Sequence, residues 1–123
     1  MWSDRYHYYN IQSHSHYTKE RPTKEIIRVL LQTGFFRQVD HQSFCNADHF
    51  PWVDILITKT DQGNFSTSEQ EIPFANLVAI TCTKGNGTDQ QVYLTAFKKV
   101  ADALGWKLFL EEDDDGNTNI EID

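Results

Sequence analysis

The spacing of apolar and polar positions changes period several times along the chain, and each change marks a predicted element. Residues 6–13 read Tyr-His-Tyr-Tyr-Asn-Ile-Gln-Ser, aromatic and β-prone, which predicts a first strand with a polar connection after it. Beyond Pro22 and Thr23 the period lengthens. Over residues 24–33, Ile26 stacks on Leu30 and Ile27 on Leu31 at i,i+4, Glu25 falls in the first turn and Gly34 supplies a stop, the pattern of an amphipathic helix. Residues 35–44 mix the two classes and read as one strand, with a break at 46–51.

Strict alternation returns over residues 52–60, where Val53, Ile55 and Ile57 share one face and Asp54, Leu56 and Thr58 the other. Asp54 is interior to that strand, so it either faces solvent or is a paired buried acid. The Asp61-Gln62-Gly63-Asn64 run is turn chemistry, and residues 65–73 read as loop. Residues 76–83 are apolar on both faces apart from their threonines, which suits a central strand covered on at least one side. A second helix opens with Thr88-Asp89-Gln90-Gln91, a capping box, and aligns Tyr93, Ala96, Phe97, Val100, Ala101 and Leu104 in one stripe before Gly105 ends it. Residues 106–111 and 118–122 then alternate again around Asp115-Gly116, so the chain is predicted to end on a β-hairpin. The order β-α-β-β-β-α-β-β, without repeat or linker, predicts an α+β fold: one domain over residues 1–123, a mostly antiparallel sheet and two helices on one face.

Composition narrows the class. At 123 residues with 39% hydrophobic and 13% aromatic content the chain suffices for a core without disulfide or metal. It contains no run of about eighteen apolar residues, which argues against membrane insertion. The amino terminus, Met-Trp-Ser-Asp-Arg-Tyr-His, lacks the basic patch, apolar run and cleavage site of a secretory signal, and predicts a cytoplasmic protein. Cys45 and Cys82 lie far apart, with Cys82 in an apolar run, consistent with free thiols.

Charge changes the picture most. The net charge is -7, which speaks against a phosphate-binding surface for nucleic acid. Acids and bases balance up to residue 110, whereas Glu111, Glu112, Asp113, Asp114, Asp115, Glu121 and Asp123 follow the last base, Lys107. The negative field is therefore local to the terminal hairpin.

Candidate chemistry is incomplete at each place it begins. The run from Glu111 to Gly116 has the alternate acids and glycine of a calcium loop, but counting Glu111 as position 1 puts Ile122 where a bidentate glutamate is needed, between strands where helices are required. His14-Ser15-His16 and the Cys45-x3-His49 spacing lack the second half of a zinc site. Cys45 with Asp48 and His49 is the one local nucleophile-base grouping, extended by His41 to a small cleft of Cys, His and Asp residues. The glycine-rich run 84–88 joins a strand to a helix without the rest of a P-loop. None of these patterns implies a cofactor.

Aromatic residues complete the reading. Phe35-Phe36, Phe50-Pro51-Trp52 and the Tyr6, Tyr8, Tyr9 cluster are chiefly core and sheet packing, yet a strand that carries Tyr8 next to Tyr9 turns one of them outward. Exposed Tyr and Trp anchor protein interfaces, so Tyr8 and Trp52 join Glu111, Glu112, Asp113, Asp114, Asp115 and Glu121 as expected partner-binding residues. In size, acidity and single-domain α/β character the whole chain resembles the immunity proteins of bacterial toxin–immunity pairs, including those of contact-dependent inhibition and other polymorphic toxin systems. That resemblance implies a cytosolic inhibitor that binds a cognate toxin domain and blocks its active site or its assembly, and the acidic hairpin fits a nuclease or another toxin with a cationic active site. The alternative expectation is a small enzyme or ligand-binding domain around His41, Cys45, Asp48 and His49.

Overall fold

Thirteen short elements follow one another along the chain in a computed structural model that describes residues 3–13, 19–61, 64–65, 72–84 and 87–122. Of residues 60, 61, 64, 65 and 87–89 only the backbone is described. In chain order they are β1 (Tyr6–Gln12), β2 (Arg21–Pro22), α1 (Thr23–Gln32), β3 (Phe36–Gln38), β4 (Ser43–Asn46), β5 (Val53–Thr58), β6 (Thr60–Asp61), β7 (Asn64–Phe65), β8 (Phe74–Ala75), β9 (Leu77–Thr83), α2 (Gly87–Leu104), β10 (Lys107–Glu112) and β11 (Thr118–Ile122). Seven strands make one antiparallel sheet in the order β11-β10-β1-β9-β5-β4-β3. Two minor ribbons, β2 with β8 and β6 with β7, lie outside it.

The expected α+β class and antiparallel sheet are present, and the run apolar on both faces is indeed central: β9 has three strands on either side. The element order departs from the expected one: the short ribbons β2–β8 and β6–β7 add to it, Phe65 is strand rather than loop, and residues 66–71 of the expected loop lie outside the described residues. Residues 35–44 are two strands, β3 and β4, joined by a tight turn, so the main sheet gains a hairpin and β4 runs through Asn46 where a break was expected. The turn is built by a side chain: Asp40 Oδ1 accepts the N–H groups of Gln42 at 2.9 Å and Ser43 at 2.8 Å. An Asx turn of this kind reverses the chain without a glycine or proline, so no break signal marks it within the mixed residues 35–44.

The helices pack on one face. From the sheet come Tyr9, Ile11, Phe44, Val53, Ile55, Ile57, Val78, Ile80, Cys82 and Leu108, alternate residues in their strands and all buried. Each fully buried side chain of this size contributes about 1.5–3 kcal/mol. Against them α2 presents the predicted stripe of Tyr93, Ala96, Phe97, Val100, Ala101 and Leu104, every one buried. Phe97 joins the layers, with ring centroids 5.5 Å from Tyr9 and 5.7 Å from Tyr93. Past Leu104 the chain turns at Gly105 (φ +69°), whose N–H donates to the Asp102 carbonyl while Trp106 N–H reaches the Ala101 carbonyl, the two bonds of a Schellman stop. The Thr88 capping box falls on side chains outside the described residues.

In α1 only half of the expected stripe is spent on the core. Ile26, Val29 and Leu30 are buried, whereas Ile27 is half-buried and Leu31 exposed. The helix ends as predicted, at Gly34 with φ +77°. The terminal hairpin also forms, with Gly116 at φ +84° in its turn. Cys45 and Cys82 are free thiols. No helix among the described residues is long and apolar enough to cross a membrane.

Candidate functional site

Alternation that sends Val53, Ile55 and Ile57 to the helices sends Asp54 and Leu56 to the opposite face of the sheet, and the register extends that face into rows. One row crosses five strands as Tyr8, Thr81, Asp54, Cys45 and Arg37, each the cross-strand partner of the next. A second crosses six as Glu121, Phe109, Asn10, Ala79, Leu56 and Ser43. At one end of the face Trp52 leans over Tyr6, ring centroids 5.7 Å apart and planes tilted by 49°. Trp52 is 47% exposed and Leu56 39% exposed. The opposite end is closed, with Gln12, Thr58 and Leu77 buried.

This face is held from beneath. Tyr93, fully buried in α2, donates its hydroxyl to the Trp52 carbonyl at 2.5 Å and lies 3.1 Å from Thr83 Oγ1. Phe50 fixes the approach to Trp52 by packing on Phe35 at 5.2 Å and Phe36 at 5.4 Å. The Phe50-Pro51-Trp52 run thus divides into an anchor and an exposed ring. Tyr8 and Tyr9 divide likewise: Tyr9 is buried against Phe97, where loss of hydration raises its pKa, and Tyr8 stays half-exposed on the open face.

Asp54 stands in the middle of the five-strand row, exposed and with no ion pair among the described residues. Of the two states the sequence left open for it, the structure selects the solvent-facing one. Two strands away, Arg37 is exposed and donates Nη2 to Cys45 Sγ at 3.4 Å.

Of the expected partner-binding residues, Tyr8 and Glu121 lie in the open-face rows, Trp52 stands at its end, and Glu111 shares the strand parity of Phe109 on the same side. Glu112 has the opposite parity. The acids at the tip are not equivalent. Asp113 closes the turn, its Oδ1 accepting the N–H groups of Asp115 and Asn117 at 2.9 Å and its Oδ2 the Asn117 side-chain amide at 3.0 Å. That amide and those N–H groups hold its carboxyl below the usual carboxylate range. Asp114 pairs with Lys84 at 2.7 Å and Glu121 with Lys107 at 3.3 Å. Glu112 and Asp115 make no ion pair among the described residues.

The alternative grouping is spread along the β3–β4 hairpin. His41 lies in the turn before β4, Cys45 within β4 on the open face, and Asp48 and His49 in the exposed loop after it, His49 against the Phe35 ring at 6.5 Å. Among the described residues no group of three or more His, Cys, Asp or Glu is placed to hold a metal ion. His14, His16, Gly85 and Asn86 lie outside the described residues. Tyr6, Asp54, Leu56 and Arg37 were not expected at a site. For Asp54 and Leu56 the signal was present in the alternation of residues 52–60, whereas Arg37 enters only through the unforeseen hairpin.

A scan of the chain against models of known protein families finds no match, and a search of curated proteins finds none either.

Proposed function

We propose that this chain is a protein-binding inhibitor, an immunity protein of a bacterial toxin–immunity pair that works in the cytoplasm and docks its open sheet face on a cognate toxin domain. The observation that carries the reading is the row Tyr8–Thr81–Asp54–Cys45–Arg37 with Trp52 beside it: a stretch of pre-formed sheet bearing an exposed Trp52, a half-exposed Tyr8 and an exposed acid, Asp54, that makes no ion pair among the described residues. Aromatic anchors of this kind supply most of the binding energy of an interface, and a pre-formed sheet loses little entropy on docking. The acids that remain available, Asp54, Glu112 and Asp115, favour a partner with a basic surface, with the hairpin tip steering the encounter. Whole-chain size and acidity support the immunity-protein reading in the same direction.

Co-expression tests it. Toxicity of a toxin domain encoded in the adjoining reading frame is expected to be relieved by the intact chain and restored by a Trp52→Ala, Tyr8→Ala double variant that still folds. Relief by the double variant to the full extent, or no relief by the intact chain, overturns the proposal. The grouping of His41, Cys45, Asp48 and His49 gains nothing comparable, because these residues are spread along the β3–β4 hairpin and the loop after it.

A further inference from the structure

Two pairs of side chains meet at one end of the open sheet face. Tyr6 and Tyr8 stand two apart in β1, and Trp52 and Asp54 stand two apart where the chain enters β5, so strand alternation turns each pair to one side. Register brings the pairs together. Tyr8 and Asp54 both face Thr81, from opposite sides of β9, while Tyr6 faces Thr83 and Val53 faces Cys82, so Trp52 continues the register opposite Thr83. The 5.7 Å between the Tyr6 and Trp52 ring centroids agrees with that placement.

The result is a shallow hollow. Thr81, a small side chain between two larger ones, is its floor, and Tyr8 and Asp54 stand on either side of it, their backbones about 10 Å apart across two strand spacings. Tyr6 and Trp52 close one end. Trp52 and Asp54 are exposed, and Tyr6, Tyr8 and Thr81 are half-buried.

Charge in the hollow has one sign. Asp54 makes no ion pair among the described residues, and aromatic ring faces add negative potential of their own. Arg37, two strands further along the row, holds its Nη2 at Cys45 Sγ. An acid beside aromatic faces selects a cation, and the shape of the cation decides which. An ammonium is a compact, strongly hydrated point charge. A guanidinium is flat and weakly hydrated, lies over an indole, and presents a fork that meets both oxygens of a carboxylate. The hollow is open rather than enclosed, so it takes only the end of a side chain, and an isolated small cation gains too little there to bind tightly.

We infer that the hollow receives an arginine side chain of a protein partner, its guanidinium laid on Trp52 and paired with Asp54, with Tyr6 and Tyr8 beside its alkyl stem. The inference rests on the open face being the docking surface proposed above, and adds to it the group taken at its centre: arginine in preference to lysine.

The test is an NMR titration of the isotopically labelled full chain with hexa-arginine and, in parallel, hexalysine, read at the Trp52 indole N–H and the Asp54 amide and compared with the Asp115 amide. Hexa-arginine is expected to shift both open-face signals saturably, with hexalysine about three- to tenfold weaker there, while the two peptides act alike at Asp115. Asp54→Asn, a surface change of equal size, is expected to weaken the response of Trp52 to hexa-arginine about fivefold. Trp52→Leu is expected to abolish the preference for arginine as read at the Asp54 amide. The proposal is overturned by the absence of saturable shifts at Trp52 and Asp54 at peptide concentrations on the order of ten millimolar. Equal open-face response to hexalysine, the same preference for arginine at Asp115, an unaltered response of Trp52 in Asp54→Asn, or a preference that survives Trp52→Leu overturns it as well. No toxin domain enters the titration, so its failure removes this arginine site alone, whereas failure of the co-expression experiment removes the docking reading.

Discussion

His7 sits half-buried in β1 with its Nδ1 3.2 Å from Gln90 Oε1. Burial is the main cause that pulls its pKa below the ordinary 6.5; the bond to Gln90 opposes this, Lys84 adds to it and Asp114 opposes it. In the window between its folded pKa and 6.5 the unfolded chain holds a proton on this ring that the folded chain does not. Stability from this residue is therefore complete above that window and lost as pH falls through it. Urea unfolding at about pH 7.5 and about pH 5.5 is expected to show a smaller loss for His7→Asn than for the unaltered chain, since the other histidines contribute equally to both. Cys82 behaves oppositely. Burial pushes its thiol from 9.0 up to about 12, so the folded chain keeps a proton that the unfolded chain gives up. Stability is complete below pH 9.0 and declines as the medium becomes more alkaline, a decline that equilibrium unfolding under alkaline conditions measures directly.

At the scale of elements, α2 carries the open face on its back through Tyr93. Tyr93→Phe removes the donor to the Trp52 carbonyl and the contact with Thr83 while keeping the ring stacked on Phe97, and is expected to cost about 1–2 kcal/mol in chemical denaturation. The hairpin depends on Asp113 in a different way. Asp113→Ala is expected to speed hydrogen exchange at the amides of Asp115 and Asn117 far more than Asp115→Ala does, because it is the Asp113 carboxylate that accepts both of those amides. What the sequence made legible follows from the same physics. The stripe of α2, the alternation of β5 and the Asp-Gly turn of the last hairpin are periodic or local signals, and each reappears in place. The β3–β4 hairpin was hidden because its turn rests on the Asp40 carboxylate rather than on glycine, and with it the part of Arg37 and the place of Cys45 on the open face. Which acids of the tip are free was likewise beyond any local pattern, since Lys84 reaches Asp114 from thirty residues away.

For the whole molecule, the concentration of charge is softened by folding. Sequence order isolates seven acids after residue 110, but Lys84 and Lys107 return to two of them and Asp113 is taken by its own turn. On the open-face side the acids that remain include those of the hairpin and Asp54 on the sheet, so the two expected sets of contacts, aromatic and acidic, adjoin one another. The proposed docking implies a division of labour in which the aromatics set the dissociation rate and the acids the salt-dependent association rate. The most direct measurement is the binding of the intact chain to the toxin domain proposed as its partner at two salt concentrations, compared with Trp52→Ala and with a Glu112→Lys, Asp115→Lys double variant. Trp52→Ala is expected to raise Kd about thirtyfold through faster dissociation, while the double variant slows association and loses most of its salt dependence. Undiminished affinity for Trp52→Ala together with unchanged association of the double variant would contradict the account.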